Sequence, residues 1–242
     1  MENWLSRQEL LIGTEAQQKL KDGHVLICGL GGVGSYAAEF IARSGVGKMT
    51  IIDGDCFDET NKNRQLMALS STIGKNKAMI LAERIKDINP AIELIVYEEF
   101  VLPARMWEIL ADTKPDYVMD CIDSVTPKLN LIKACIRHKI KIISSMGAGG
   151  KLDPSKVKVA KLKNTSECKL AINLKNRMRR DRVDTKRVKV VFSSEMQKKS
   201  SLQMTDGTNF KKSFYGTISY MPALFGLYAS TTVIAYLSAL KK

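Results

Sequence analysis

The sequence predicts an α/β fold in which a mainly parallel β-sheet is flanked by helices. Three observations support this prediction. Short apolar runs recur along the first 150 residues, segments with apolar residues at helical spacing separate them, and the first run ends in a cluster of glycines. Strands that alternate with helices of about 10 to 15 residues form βαβ units, whose strands lie parallel in one sheet.

The first 150 residues are predicted to contain five strands and three helices. The first apolar run, HVLIC, is typical of a strand buried inside a sheet. The predicted strands are residues 24–28, 48–52, 92–97, 116–120 and 140–144. The predicted helices are residues 35–44, 75–88 and 128–138.

The pattern changes after the glycines at 147–150. Residues 156–163 and 187–194 alternate apolar and basic side chains, so each is predicted to be a strand with one wet, positive face. Residues 170–182 between them are predicted to form a basic amphipathic helix or a partly mobile loop. Residues 195–212 are polar and rich in lysine, which makes them the most flexible stretch expected in the chain.

Residues 213–240 contain no charged residue, and their length alone would permit a membrane span. Serines, threonines and Pro222 dilute the apolar character, however. A strand at 214–220 that turns at Pro222 into a helix enclosed by protein explains the segment equally well. We therefore expect residues 151–242, including antiparallel strands, to complete the domain begun by residues 1–150, with membrane association as the minor alternative.

The net charge of +13 is concentrated in one segment. Residues 1–150 hold 18 lysines and arginines against 19 aspartates and glutamates, whereas residues 151–212 hold 18 against 6. Such asymmetry indicates a polyanionic partner, either a nucleic acid or an anionic membrane surface. A solvated basic surface is the other interpretation, and the concentration of the charge favours a partner.

The five cysteines include no Cys-x-x-Cys pair, and the chain has only two histidines. A disulfide framework and a zinc site are therefore not expected. The opening residues, MENWLSRQELL, lack the charged and apolar regions of a signal peptide. Together these features favour a reducing, cytoplasmic location.

A glycine-rich loop follows the first predicted strand and opens the first predicted helix. It reads Gly-Leu-Gly-Gly-Val-Gly from Gly29 to Gly34, and Asp53 closes the second strand. This is the arrangement of a Rossmann-like nucleotide site, in which the loop and the helix N-terminus hold phosphates and the carboxylate accepts from a ribose hydroxyl. The loop alone does not distinguish NAD from ATP.

The next segment favours ATP, because an NAD enzyme does not need Asn61, Arg64 and Lys77 to converge on phosphates. A nucleotidyl-transfer site does, since cations neutralise the charge that develops as pyrophosphate leaves. Asp123 follows another predicted strand at the edge where open α/β sheets bind their ligands, so it is the candidate magnesium ligand.

These motifs together resemble the ubiquitin-activating-enzyme-like adenylyltransferase superfamily: the glycine loop, D-x-D-x5-N-x-N-R-Q, G-x-x-K and D-C-x-D-S. The resemblance implies that Gly29, Gly31, Gly32 and Gly34 hold the phosphates of ATP, and that Asp53 and Asp55 belong to the nucleotide site. It implies that Asn61, Arg64 and Lys77 contact phosphates and that Asp123 holds Mg²⁺. Arg7 resembles the arginine that such a subunit inserts into its partner's site, which implies a homodimer. The resemblance thus assigns the catalytic roles to Arg64, Lys77, Asp123 and Arg7.

The second half is similar to the tRNA threonylcarbamoyladenosine dehydratases of that superfamily, in its GAGG-x-x-DP and VFS-x-E pieces. The resemblance implies ATP-dependent activation of the threonyl carboxylate beside the tRNA anticodon, followed by ring closure with loss of water. The basic segment would then contact tRNA phosphates, through Lys158, Lys161, Lys163, Arg177, Arg179, Arg180, Arg182 and Arg187.

Three alternatives remain at this point. An adenylyltransferase that activates the Gly-Gly end of a sulfur-carrier protein would share the ATP site, although zinc-binding cysteine pairs usual there are missing. An NAD-dependent oxidoreductase would share the glycine loop, and a basic membrane-associated module would use residues 213–240. A monovalent cation and a sulfur-transfer protein stay open as further partners, and DNA is not expected.

Overall fold

The computed structural model describes residues 4–204 and 213–240. Its helices are α1 (Ser6–Ile12), α2 (Thr14–Asp22), α3 (Gly34–Arg43), α4 (Lys77–Ile88), α5 (Pro103–Thr113), α6 (Val125–Arg137), α7 (Lys169–Arg180) and α8 (Tyr220–Leu237). Its strands are β1 (His24–Cys28), β2 (Lys48–Ile52), β3 (Glu93–Tyr97), β4 (Tyr117–Asp120), β5 (Lys141–Ser145), β6 (Val157–Lys161), β7 (Lys189–Ser193), β8 (Leu202–Met204) and β9 (Ser213–Tyr215).

Seven strands form one sheet in the order β3-β2-β1-β4-β5-β7-β6. All neighbouring pairs in it are parallel except β6 with β7, so the predicted mainly parallel α/β fold is confirmed. In the register of the central strands, Cys28 lies opposite both Ile52 and Asp120. Strands β1, β2 and β4 therefore end level with one another, and the loops that follow them meet at one edge of the sheet.

The two faces of the sheet are covered by different helices, which explains the apolar runs. Val25 and Ile27 of β1 pack in a core with α3, α4 and α8, whereas Leu26 and Cys28 pack in a second core with α5, α6 and α7. Successive side chains of a strand point to opposite faces, so a strand between two helical layers buries both faces and is predominantly apolar.

The segment after residue 150 extends the same sheet. Strand β7 lies parallel to β5, and β6 pairs antiparallel with β7 as the outer strand. The prediction of a wet, positive face is wrong for β7, where only Lys189 is exposed and the next four residues are buried. The reason is its position between two strands and under helices on both faces. Residues 169–180 form the predicted basic helix, α7.

Helix α8 packs against α3 and against β5, β6 and β7. Within the described part of the chain it is the one helix long and apolar enough to cross a membrane. The predicted strand at 214–220 is wrong in its extent: β9 ends at Tyr215, and α8 already begins at Tyr220 with Pro222 in its first turn. Proline is tolerated there because the first helical amides have no partner within the helix.

The predicted flexible stretch at 195–212 is only partly described. Residues 199–201 form a short 3-10 turn, and β8 pairs with β9 in a small antiparallel two-stranded sheet, while residues 205–212 lie outside the described residues. Helices α1, α2 and α5 complete the fold and were not among the predicted elements.

Candidate functional site

The glycine loop joins the end of β1 to the start of α3, as predicted. Gly29 has a φ of +87°, a left-handed conformation that favours glycine, and a Cβ there would lie 3.0 Å from the carbonyl carbon of Cys121. At Gly34 a Cβ would lie 1.8 Å from the carbonyl oxygen of Gly29. A side chain at either position would therefore force the loop away from the chain that follows β4.

The N-terminus of α3 opens toward this loop. Its first turn contains no acidic residue. Within residues 4–204 and 213–240, the amides of Gly31, Gly32 and Val33 donate to no backbone carbonyl. Free amides at a helix N-terminus, together with the helix dipole, attract anions. The loop therefore presents hydrogen-bond donors suited to a phosphate group.

Asp53 directly follows β2, and backbone amides orient its carboxylate. Its Oδ2 accepts from the Leu30 amide at 2.6 Å and its Oδ1 from the Asp55 amide at 2.8 Å. Burial raises the pKa of this carboxyl, and the two amides and the Lys77 ammonium oppose the rise. Because a carboxylate oxygen can accept more than one hydrogen bond, both oxygens can still accept from ribose hydroxyls.

Arg64 lies in the turn between β2 and α4 and is fastened by its own neighbours. Its Nη1 donates to the Thr60 carbonyl oxygen at 2.7 Å and to Asn63 Oδ1 at 2.9 Å. Burial lowers the pKa of Arg64, while the negative charge of Asp123 acts to raise it. The guanidinium and the Asp123 carboxylate thus lie within electrostatic reach of each other.

Asn61 is buried in the same turn and shapes it. Its Oδ1 accepts from the Asp58 amide at 3.3 Å, and the Asp58 carboxylate accepts from the Thr60 amide. These two hydrogen bonds together cap a short 3-10 turn. The structure therefore places Asn61 beside Arg64, and its contact with a phosphate stays a prediction.

Lys77 is the first residue of α4, and its side chain is 7% exposed. Its Nζ lies 3.1 Å from Asp55 Oδ2, and its amide donates to the Asp55 carbonyl oxygen. Asn76 caps the helix by accepting from the Ala78 and Met79 amides. A cation at a helix N-terminus is unfavourable without a nearby anion. Asp55 provides part of the negative charge that Lys77 needs, and a bound phosphate would provide additional negative charge.

Asp123 lies between β4 and α6, at the edge where β1 and β2 also end. Its side chain is exposed, and no cluster of three acidic, histidine or cysteine residues that could hold a metal occurs in the described part of the chain. One carboxylate nevertheless fits magnesium carried by a nucleotide, because that ion binds through one or two carboxylates, substrate phosphates and water.

A fully buried ion pair lies beneath this edge of the sheet. The sequence pattern did not predict it. Lys128 Nζ lies 2.8 Å from Asp120 Oδ2, and it also donates to Ser144 Oγ at 3.1 Å and to the Ser145 carbonyl oxygen at 2.9 Å. Asp120 Oδ1 accepts from the Ile122 amide. The pair thus ties the ends of β4 and β5 together, directly below the loop that carries Asp123.

Gln65 is a second residue of the site that the sequence analysis quoted without a role. It is 8% exposed, and its Oε1 is buried without a hydrogen-bond partner among the described residues. Its Nε2 lies 3.6 Å from where a Cβ of Gly31 would stand. An unsatisfied buried acceptor beside a phosphate loop is costly unless a ligand donates to it. Its position directly after Arg64 was the sequence feature that could have assigned Gln65 to the site.

Arg7 lies far from the glycine loop of its own chain. The neighbouring Gln8 donates from Nε2 to the Ser44 carbonyl oxygen at 2.8 Å, at the C-terminal end of α3. The glycine loop lies at the other end of that helix, and its ten residues span about 15 Å. Arg7 therefore does not join this site, and its action in a partner's site stays a prediction.

The predicted tRNA-binding side chains are exposed, apart from the half-buried Arg177. Buried Ala171, Leu174 and Met178 hold α7 against the core, so its basic side chains face outward. Arg177 Nη1 donates to Thr126 Oγ1 at 2.8 Å, in the first turn of α6. The basic helix is therefore fastened three residues from Asp123. Lys163 and Arg179 line one groove of about 430 Å³.

The sequence matches the ThiF family over residues 5–242. The chain belongs to the ThiF family. This ThiF-family chain is 42% identical over 190 residues to the tRNA threonylcarbamoyladenosine dehydratase of Bacillus subtilis, which covers 78% of this chain and 74% of that protein. It is also 34% identical over 151 residues to the sulfur carrier protein ThiS adenylyltransferase of Escherichia coli, covering 61% of this chain.

Solved structures agree with the sequence relatives. The crystal structure of E. coli tRNA N6-threonylcarbamoyladenosine dehydratase, TcdA, in complex with ATP superimposes with a TM-score of 0.87 at 35% identity, covering 97% of this chain and 93% of that one. The complex of the same enzyme with AMP also gives a TM-score of 0.87 and covers 99% and 96%. The similarity thus includes the C-terminal part, where the charge of this ThiF-family chain is concentrated.

Proposed function

We propose that this chain catalyses the ATP-dependent dehydration of threonylcarbamoyladenosine beside the tRNA anticodon. The observation that carries the proposal is the convergence of the glycine loop, Arg64, Lys77 and Asp123 at one edge of the sheet. The relatives support the same reaction, because those named for it are similar over most of the chain, whereas the ThiS adenylyltransferase is similar over a smaller share.

The first step joins the threonyl carboxylate to ATP. The free amides at the N-terminus of α3 bind the phosphates, and Asp53 accepts from the ribose. A carboxylate oxygen then forms a bond to the α-phosphorus, and the bond from that phosphorus to pyrophosphate breaks. Arg64 and Lys77 neutralise the negative charge that develops on the leaving pyrophosphate. The product of this step is an acyl-adenylate.

The second step closes a ring within the substrate. The neighbouring carbamoyl group attacks the activated carbonyl, and AMP leaves with the former carboxylate oxygen, so the nucleoside loses one water overall. The reaction is intramolecular and needs no enzyme nucleophile. Cys121 lies against the loop, and burial raises the pKa of its thiol to about 12, so it is protonated at neutral pH.

Asp123 would hold the magnesium ion that accompanies ATP. When bound, it would neutralise phosphate charge and polarise the α-phosphate. The contribution of Asp123 is an exposed carboxylate at a fixed place, because the turn that carries it rests on the buried Lys128–Asp120 pair.

A homodimer would complete the site with Arg7 of the partner subunit. The position of Arg7, at the far end of α3 from the loop of its own chain, supports this arrangement. The test is to mix two inactive variants, Arg7→Ala and Asp123→Ala. If Arg7 acts in the partner, mixed dimers have one intact site, and random mixing restores about a quarter of the wild-type activity. No recovery after confirmed subunit exchange would contradict it.

The basic surface of α7, β6 and the turns beside them would bind tRNA phosphates. Phosphate contacts release counterions, so affinity should fall steeply with salt. Replacing Arg179 and Arg180 by glutamine should reduce the slope of log affinity against log salt by about 2, because each lost phosphate contact reduces it by about 1. An unchanged slope would show that α7 does not touch the RNA backbone.

The decisive experiment is incubation with ATP, magnesium and threonylcarbamoyl-modified tRNA, followed by mass analysis of the nucleosides. Loss of one water from the modified adenosine, with release of AMP and pyrophosphate, is the expected result. Arg64→Ala is the inactive control. Pyrophosphate exchange that requires a protein ending in Gly-Gly, without any change in tRNA, would instead assign the sulfur-carrier reaction.

A further inference from the structure

A cavity of about 490 Å³ opens beside the nucleotide site. The loop after β5 forms one wall at residues 150–152, the segment between β9 and α8 forms a second wall at residues 216–219, and Asn63 closes a third side. Lys198 and Ser201 complete the lining. The volume lies in the range of small-molecule sites, which is about 300–1,000 Å³.

The order of the strands places this cavity beyond the phosphates. Along one edge of the sheet lie Asp53 after β2, the glycine loop after β1, Asp123 after β4, and then the loop of Gly150 after β5. A nucleotide with its ribose at Asp53 and its phosphates on the glycine loop therefore points its triphosphate toward β4 and the cavity.

Residues next to the cavity walls contact the glycine loop. A Cβ on Gly32 would lie 3.0 Å from Pro222 Cβ and 3.1 Å from the Arg64 carbonyl oxygen. The start of α8 and the turn that contains Arg64 therefore both pack closely against the glycine loop. Asn63 joins the two: its Nδ2 donates to the Thr217 carbonyl oxygen at 2.9 Å, and its Oδ1 accepts from Arg64. The arginine is thus fastened to the cavity wall.

The walls are held in place by hydrogen bonds that do not involve a ligand. The Gly150 amide donates to the Gly216 carbonyl oxygen at 2.8 Å, and the Lys198 amide donates to the Gly150 carbonyl oxygen at 2.9 Å. The Lys151 side chain is almost fully buried, and its Nζ donates to the carbonyl oxygens of Ser193 and Glu195 at 2.9 and 2.6 Å. The cavity is therefore preformed rather than a gap between loose segments.

We propose that this cavity receives the modified adenosine itself, extruded from the tRNA, with its threonyl carboxylate directed at the α-phosphate over Arg64. The proposal rests on the proposed function and assigns the substrate a place separate from that of ATP. Adenylation brings two anions into bonding contact, so their meeting point needs fixed positive charge. Arg64 lies at that point, between the cavity wall and the glycine loop, and Lys198 adds a cation at the rim.

A filling variant tests the position of the cavity. Ile218 lines it and is 38% exposed, so Ile218→Trp should obstruct it with little effect on folding. Dehydration of modified tRNA should fall about tenfold or more in kcat/KM, while the dissociation constant for ATP changes by less than about twofold. Ala111→Trp, on the exposed face of α5, is the control and should change neither. A parallel loss of ATP binding, with the melting temperature unchanged, would overturn the proposal.

A charge-reversal pair provides the second measurement and does not depend on the filling variant being folded. Lys198→Glu and Lys199→Glu change the net charge equally at adjacent exposed positions, but only Lys198 lines the cavity. Lys198→Glu should raise KM for modified tRNA about tenfold more than Lys199→Glu does, and it should reduce the preference for modified over unmodified tRNA. Equal effects would overturn the proposal. A wild-type chain that does not dehydrate modified tRNA would refute the proposed function itself.

Discussion

The buried pair of Lys128 and Asp120 yields a sharp prediction, because both side chains are 0% exposed. Lys128→Met keeps an unbranched apolar side chain that is one atom shorter, and it removes the ammonium group. The three acceptors of Nζ, which are Asp120 Oδ2, Ser144 Oγ and the Ser145 carbonyl oxygen, then lose one donor each. Asp120 becomes a buried carboxylate without a countercharge, so the variant should be much less stable than the wild type.

The expected loss is about 3–5 kcal/mol in the free energy of unfolding, which is the range for breaking a buried ion pair on one side. For a chain of this size that corresponds to a fall in melting temperature of roughly 6–20 °C. Equilibrium unfolding in urea measures the free energy, and a thermal scan measures the melting temperature. Because methionine nearly fills the volume of lysine, a cavity contributes little to the loss.

Two further variants decide whether the buried charge is the cause. Lys133→Met makes the same change five residues later on α6, but its partner Asp181 and the lysine itself are partly exposed, so the cost should be about 1 kcal/mol or less. Adding Asp120→Asn to Lys128→Met removes the orphaned charge and should recover about 1–3 kcal/mol. Equal losses for the two lysine variants, or no recovery in the double variant, would refute the reasoning.

Three other predictions follow from the site and its surroundings. Lys77→Met should weaken ATP binding about tenfold or more, whereas Lys75→Met, at an exposed position two residues earlier, should have little effect. Titration calorimetry measures both dissociation constants, and similar losses of affinity would contradict the role of Lys77. Gln65→Leu should leave the free energy of unfolding within about 1 kcal/mol of the wild type, because the Gln65 Oε1 has no partner among the described residues. The same variant should weaken ATP binding, and unchanged ATP binding would contradict a role of Gln65 in the site. Burial lowers the pKa of His24, so between that pKa and about 6.5 the unfolded state binds more protons than the folded state. The free energy of unfolding should therefore fall as the pH drops below about 6.5. Urea unfolding between about pH 7.5 and 5.5 should show this slope in the wild type and a smaller slope in His24→Gln.

The parallel strands and the glycine loop could be predicted from the sequence because their signals are local. Strand β1 is buried at every position and apolar from Val25 to Cys28, since it lies between two helical layers. Gly29 must be glycine because its backbone is left-handed and touches the next turn. Helix α5 had a comparable local signal, with Met106, Ile109 and Leu110 at helical spacing and Pro103 at its start, but it was not identified.

What the sequence did not show depends on contacts between distant residues. Lys128 lies in a predicted helix, where a lysine is normally solvated, and only the ends of β4 and β5 make its burial favourable. The wet face predicted for β7 failed for a similar reason, because its neighbours on both sides and the helices above and below it are set by topology. Periodicity describes one segment, whereas burial is a property of the segments around it.

The basic segment is linked to the nucleotide edge of the sheet at two places. Arg177 reaches from the basic helix to the first turn of α6, three residues from Asp123, while Lys198 lies at the cavity beyond Arg64. In the proposed function, phosphate contacts on α7 would supply binding energy without reading sequence, so selection of the right adenosine would have to take place elsewhere. A preformed cavity that opens toward the α-phosphate can make that selection, because only a base carrying a carboxylate at the correct reach would be adenylated. If both proposals hold, the basic segment raises the local concentration of tRNA and the cavity decides which nucleoside reacts.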